Sequence, residues 1–357
     1  DPTRYVVEDS AVTKNEDNTF GVAKAYLAKV GDTEYTTLQA AIDAASRKAT
    51  VTLLADTREN VTIGTPYVTL DLNGHTLNGG TEKDKPALTI TARVTVKDSS
   101  EGQTGTIMRE DTAANSGVSS HYVIDVQGDG WLTFEGGNVT NNSGNTEGKG
   151  ASLVRVGDDS VAKYPGLNIK GGTFTQDNFI VIKVYRGDLF LNGGTLKSAN
   201  SYAVENRHRA TIKGGTVNGN VAAWTYSGGP NSDLTISGGT VNGNVEAVSY
   251  DGAEGKLAKV AITGGTVNGA LGTYIYSNGL TETEDTSKAT IKITGGTFSS
   301  DPTRYVVEDS AVTKNEDNTF GVAKAYLAKV GETSYYTMDE AFKAQTASGE
   351  AIVLLRD

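Results

Sequence analysis

Along much of the chain, apolar residues alternate with polar ones, and each run of alternation ends at a glycine. Gly-Gly-Thr-apolar tetrads begin at Gly171, Gly193, Gly214, Gly238, Gly264 and Gly295, with variants at Gly74 (GHTL) and Gly136 (GGNV). Four residues before these glycines stand Leu70, Leu132, Leu167, Leu189, Ala210, Leu234, Val260 and Ile291. Two residues before stand Leu72, Phe134, Ile169, Leu191, Ile212, Ile236, Ile262 and Ile293. The position between is mostly polar, as at Asp71, Thr133, Asn168 and Lys292, with Phe190 and Ala261 as exceptions. A period of two marks a strand with one face in a core. The residue closing each tetrad (Leu77, Val139, Phe174, Leu196, Val217, Val241, Val267, Phe298) re-enters that core, and the glycines supply a tight corner.

One such strand cannot bury its own face. Units that each carry one strand must stack, which predicts an all-β solenoid of the parallel β-helix kind. Asn218, Asn242 and Asn268 follow the tetrad in three units, as a ladder of stacked turns requires. An all-β sandwich with coincidental Gly-Gly turns is the alternative.

A second repeat is larger. Asp1 to Gly31 recurs unchanged from Asp301 to Gly331, and DTEYTTLQAAIDAA and VTLLAD are answered by ETSYYTMDEAFKAQ and IVLLRD. The chain therefore divides into a joint (1–31), a capped solenoid (32–300), a repeated joint (301–331) and the opening of another module (332–357). Thr37 to Lys48 places Leu38, Ala41, Ile42 and Ala45 at helical spacing behind a Thr N-cap, which predicts a helix capping the open end of the stack. The same element is expected from Thr337 to about Ala347. Arg4 to Glu8 and Phe20 to Val30 read as two strands around the turn Asn15 to Asn18, a small β-hairpin at the joint.

The string AKVGDTEYTTLQAAIDAA, followed by VTLLAD, ENVTI and LDLNGHTL, and the closing GGTFSSDPTRYVVED resemble the right-handed β-helix modules of large repetitive surface proteins in anaerobic Gram-positive gut bacteria. The resemblance covers most of the chain. It implies a secreted module at the bacterial cell surface, held to the wall through regions outside this chain, and a role as an adhesin or host-interaction protein. More loosely, it extends to immunoglobulin-binding surface proteins of gut commensals.

Charge and composition narrow the chemistry. With 32 Lys plus Arg against 43 Asp plus Glu, a net charge of −11 and no basic cluster, nucleic acid is not an expected partner. No apolar run is long enough to cross a bilayer, so no membrane insertion is expected in this segment. The absence of cysteine removes disulfides and thiolate metal sites. No metal or other cofactor is expected. Asp125 and Asp129, and Asp158 with Asp159, offer only loose calcium sites without calcium-loop spacing. His75, His121 and His208 lie far apart; His75 reads as a turn residue and His208 as an exposed loop residue. Solenoids of this shape also host polysaccharide lyases and glycosidases, and stacking could bring acids such as Glu205 and Glu246 together. The sequence reading is nonetheless of a protein without enzymatic activity.

The candidate site is a binding face. On the strand after the tetrad, ten residues past the first glycine, stand Ala203, Trp224, Val248 and Tyr274; twelve past it stand Glu205, Tyr226, Tyr250 and Tyr276. The intervening parity gives Tyr202 and Val204, Ala223 and Thr225, Ala247 and Ser249, Thr273 and Ile275, which suits a tight interior better than large aromatics would, and turns Trp224, Tyr226, Tyr250, Tyr274 and Tyr276 outward as an aromatic ribbon, with Lys183, Tyr185, Arg155 and Glu205 extending it. Two arrangements compete with it: rings covered by the segment Ser277 to Lys288, and the reversed parity with the rings in the core. The partner read from this face is a host protein or glycan, with a secreted immunoglobulin or mucin as examples and tandem copies of the module in the same chain. A passive spacer without a ligand is the alternative.

Overall fold

A computed structural model describes residues 10–14, 17–79, 85–109, 122–141, 152–158, 163–177 and 179–355. The described chain is mostly β, and its strands join in one long mixed sheet dominated by parallel pairs. Through much of its length a strand pairs with the strand three places further along the chain, so three parallel stacks grow side by side. Each step along a stack is about 4.8 Å.

The first stack holds the strands that precede the glycine pairs, running from Thr50–Leu53 and Val68–Asp71 to Ala289–Phe298. Its core column is Leu70, Val96, Phe134, Ile169, Leu191, Ile212, Ile236, Ile262 and Ile293, each in register with the next. Two features differ from the sequence reading. Leu70 stands beside Val96 and Phe134 rather than in the column of Leu132, because the turn at Leu72 to His75 is longer than a Gly-Gly corner. The strand Arg93–Lys97 belongs to the same stack although no Gly-Gly pair follows it. Its corner is built on Asp98, whose carboxylate accepts the backbone N–H groups of Gly74, Ser100 and Gly105.

The second stack follows the corner, with Leu77, Ile107, Val139, Phe174, Leu196, Val217, Val241, Val267 and Phe298 in one buried column. Beside it the asparagines link as the sequence predicts: Asn242 Nδ2 donates to Asn218 Oδ1 at 2.7 Å and Asn268 Nδ2 to Asn242 Oδ1 at 2.7 Å. The third stack runs from Val61–Ile63 and Leu88–Ile90 to Val245–Tyr250 and Leu271–Tyr276. Its outward row, read by register, is Thr62, Thr89, Asp125, Arg155, Lys183, Glu205, Ala222, Glu246 and Gly272.

Helix α1 (Leu38–Ala44) buries Leu38, Ala41 and Ile42 at one end of the stacks. It is shorter than the predicted span because Ala45 leaves the helix in an extended conformation and Lys48 takes φ 70°. The Thr37 hydroxyl caps it, and Glu59 adds its carboxylate to the N–H groups of Leu38 and Gln39. The Gln39 side chain then behaves like a neighbouring strand: its Oε1 accepts from Thr62 N–H and its Nε2 donates to Thr62 C=O, covering the exposed edge of Val61–Ile63. The edge of Thr50–Leu53 is closed by the antiparallel strand Ala28–Val30.

At the other end, the hairpin Ser310–Lys314/Phe320–Lys324 lays Phe320–Val322 antiparallel along Gly296–Phe298. The first hairpin strand is therefore Ser310–Lys314, and in the described residues of the first copy Ser10–Lys14 pairs with Phe20–Lys24. Thr303–Tyr305 is a 3₁₀ turn, so Arg304 to Glu308 is not the strand that its alternation suggests; Arg4 to Glu8 lies outside the described residues. Helix α2 (Met338–Ser348) and the strands Ala328–Val330, Thr333–Tyr335 and Ile352–Leu354 form a separate small unit.

Candidate functional site: an aromatic and carboxylate face

Parity on the third stack follows from packing. Val221, Ala223, Val245 and Ala247 fill the core, so Trp224, Tyr274 and their even-spaced neighbours turn outward. Trp224, Val248 and Tyr274 are in register on successive strands, as are Tyr250 and Tyr276. The Trp224 and Tyr276 rings lie 5.4 Å apart, Tyr276 stacks on Tyr250 at 6.3 Å, and Tyr202 meets Trp224 edge-on at 5.8 Å. Tyr250 is 36% exposed, while Trp224, Tyr226, Tyr274 and Tyr276 are half-buried. Within the segment after Tyr276, Leu280–Glu282 runs antiparallel beside Leu271–Tyr276, with Glu282 paired to Tyr274.

Lys183, Tyr185 and Glu205 form a second group. Glu205 aligns with Ala222, not with Tyr226, because the long strand Thr195–Asn206 carries an irregularity between Lys197 and Val204 that counting from the glycine misses. Its buried carboxylate accepts from Arg207 Nε at 2.7 Å and lies 3.6 Å from Lys183 Nζ. The Arg207 guanidinium sits 4.9 Å from the Tyr185 ring and 5.1 Å from the Tyr226 ring, and Lys183 sits 4.7 Å from Tyr185. Arg155 makes paired bonds to Asp125, reaches Asp158 at 3.0 Å and stacks over Tyr122. These cations and acids neutralise one another within the face.

Glu246 differs. Only 5% exposed, it stands in the outward row between Ala222 and Gly272, two small residues that are themselves buried. The Tyr274 ring folds over Gly272 so closely that a Cβ there would lie 2.4 Å from it. From the other side the Tyr202 phenol donates to Glu246 Oε2 at 2.7 Å. Burial first, then the Glu246 charge, pushes the Tyr202 phenol well above its ordinary range, and the same two causes raise that of Tyr274. Among the described residues no cation pairs with Glu246. The sequence reading named it only as a possible partner of Glu205 in hydrolysis. The two do share the outward row, with Ala222 between them, but Glu205 is held by Lys183 and Arg207.

The looser sequence candidates resolve simply. Asp129 is held by Lys163 at 2.7 Å, and Asp125 and Asp158 by Arg155, so these acids already have cationic partners; Asp159 lies outside the described residues. Among the described residues no group of three His, Asp or Glu side chains could hold a metal ion. His75 sits in the turn beside Asp56, 3.6 Å away, but the left-handed residues there are Asn73 with φ 48° and Gly74 with φ 82°. His208 is not an exposed loop residue: it is half-buried, its Nδ1 2.9 Å from Gly187 O, and it stacks on Tyr164. His121 lies outside the described residues. Among those residues no helix is long and apolar enough to cross a membrane. Comparison with protein-family models, with curated proteins and with solved structures gives no match to this chain.

Proposed function

We propose that the chain is a non-catalytic binding module of an extracellular bacterial surface protein, a right-handed parallel β-helix that presents its third stack to a host macromolecule. The observation that carries this reading is the outward cluster of Trp224, Tyr250, Tyr274 and Tyr276 on three successive strands. Tyr and Trp offer large, rigid contact area with a polar edge, suited to protein interfaces and to sugar rings. A passive spacer has no need of such a cluster.

Tandem repetition is supported by the two copies of the joint, which share one sequence in two surroundings. Val322, laid against the last strands, is 5% exposed, whereas Val22 in the first hairpin is 55% exposed. Ile42 of α1 is 2% exposed, whereas Phe342, its counterpart in α2, is 54% exposed. The first hairpin would dock on the end of a preceding stack, and α2 would cover the start of a following one. An array of such modules multiplies weak contacts by raising effective concentration.

The test is capture from intestinal mucus and serum by the immobilised chain, beside a variant carrying Trp224→Ala, Tyr250→Ala and Tyr274→Ala. Capture of one host protein or glycoprotein that the variant loses is the expected result. Capture of nothing by the unaltered chain would overturn the binding reading in favour of a spacer.

A further inference from the structure

Apart from the third-stack face, we infer that the chain carries a separate site on its first stack, a cleft between Tyr67 and Trp131 that takes a carboxylate-bearing sugar. The cleft holds about 210 Å³; Tyr67, Arg93 and Trp131 wall it, and Val94, Thr95 and Thr133 line its floor. That is below the roughly 300 Å³ at which pockets for drug-sized ligands begin, and suits a single sugar ring. Its place follows from register. Arg93 aligns with Trp131 on the next strand, and Tyr67, at the start of the strand before, donates its N–H to the Arg93 carbonyl. Two steps of the stack set the backbones of the two aromatic walls roughly 10 Å apart. The mouth is accessible, since Arg93 is exposed and Tyr67 is 46% exposed.

Charge, hydroxyl groups and backbone conformation all point to that ligand. The Arg47 guanidinium lies 4.5 Å from the Tyr67 ring, and that of Arg93 lies 5.3 Å from the Trp131 ring. Both arginines are exposed, and among the described residues neither makes an ion pair. The acids on and beside these strands are already matched: Asp71 to Lys97, Asp129 to Lys163 and Glu135 to Lys170. Contact with a ring positions each guanidinium and leaves its N–H groups for a carboxylate. In the neighbouring outward row Thr69, Thr95 and Thr133 stand in register, and none of their hydroxyls bonds to another described residue. A hydroxyl both donates and accepts, which matches the hydroxyls of a sugar. Tyr67 itself takes φ 66°, alone among the described aromatic residues. A bulky side chain is held in the left-handed region at a cost, and such outliers gather at ligand-contacting positions. Glycine or asparagine would fit that turn more easily; what Tyr67 adds is an exposed ring at the mouth of the cleft. The net charge of −11 opposes a densely charged polymer, so the ligand is a glycan with isolated acids, a sialic acid or a uronate.

The experiment titrates the whole chain in a Trp224→Phe background, so that Trp131 is the only tryptophan and reports from the wall of the cleft. The probes are sialyllactose, a hyaluronan tetrasaccharide, lactose and sodium acetate. We expect a saturable fluorescence change with an acidic sugar, and whether sialyllactose, the hyaluronan fragment or both produce it names the source of the carboxylate. Arg93→Gln should weaken that binding at least tenfold and Arg47→Gln at least threefold. Arg58→Gln, which removes the same charge from the second stack, should change it less than twofold. Tyr67→Gly should weaken it at least fivefold without lowering the thermal midpoint, because glycine accepts the same φ. Binding to a folded Arg93→Gln equal to that of the parent overturns the proposal. So does an equal response to lactose or to acetate, or a response to none of the probes. The variant carrying Trp224→Ala, Tyr250→Ala and Tyr274→Ala tells this site from the third-stack face. It should bind the acidic sugar as the parent does; loss of that binding would move the sugar to the third stack and overturn the cleft. A parent chain that binds the sugar but captures nothing from mucus and serum would leave the cleft standing and fail the third-stack reading alone.

Discussion

Single residues set the corners of this fold, and the two glycines of each tetrad do so for different reasons. Gly214 is needed for close approach, since a Cβ there would lie 2.5 Å from Asn192 O of the preceding corner. Gly215 takes φ 79°, a conformation that L side chains adopt at a cost. The sequence pattern exposes both roles without separating them. Asp98 does the same work where the glycine pair is missing, and that substitution of side chain for backbone is invisible to a search for Gly-Gly. Burial raises the Asp98 carboxyl, but hydrogen bonds from Ser100, Gly105 and Gly74 outweigh it and hold the group below the ordinary carboxylate range. A depressed folded-state value contributes stability above the unfolded value of about 3.9, and that contribution is lost as pH falls through the folded value. Asp98→Asn is therefore expected to cost about 1–3 kcal/mol at neutral pH. Its deficit against the parent chain should shrink steadily as denaturation is followed into acid. A deficit unchanged down to about pH 2 would rule out the ionised carboxylate as the source.

At the scale of elements, the clearest experiment is already built into the chain, because α1 and α2 are the same element with and without a neighbour. In α1 the N-terminal N–H groups are met by Thr37 and by Glu59, a residue from the strand region that follows. In α2, Glu340 stands where α1 has Ala40, and a capping box of Thr337 and Glu340 makes the helix self-sufficient. Ile42→Ala should cost about 2–5 kcal/mol, as for other buried large-to-small changes. Phe342→Ala in this chain should stay within about 0.5 kcal/mol, as for exposed positions. Denaturant unfolding of the two variants checks both, and equal costs would contradict the difference in burial between the two helices. The helix itself was legible from the spacing of Leu38, Ala41 and Ile42. Its end was not, since the groups that fix it sit at Ala45, Lys48 and Glu59 and depend on what the chain does next. The parallel stacking was legible in the apolar columns, whereas the hairpin strand was misplaced from Ser310–Lys314 to the residues before it. Alternation alone does not distinguish a strand from the 3₁₀ turn at Thr303–Tyr305.

For the whole molecule, three parallel stacks turn a repetitive sequence into long outward rows, and the rows differ in what they offer. One row on the first stack carries Asp188, Arg209, Asp233 and Lys259 in register, a ladder of alternating charge whose members pair with each other. The third stack begins with threonines, passes through the matched charges of Asp125 to Glu205, and ends in the rings around Glu246. The outward parity of Trp224 and Tyr274 could be read from sequence because the residues beside them, Ala223, Thr225, Thr273 and Ile275, suit a tight interior better than the rings do. The surroundings of Glu246 could not, since they are made by Ala222 one strand away and by Tyr202, which enters from a strand two steps off. The account as a whole rests on that face meeting a partner. Hydroxyl-radical footprinting of the chain, free and with the host protein captured from mucus or serum, tests it most directly. Oxidation of Trp224, Tyr250 and Tyr276 should fall in the complex while that of Tyr164, an exposed ring outside the cluster, stays as it was. Unchanged oxidation at all three, with protection elsewhere, would contradict the assignment of this face.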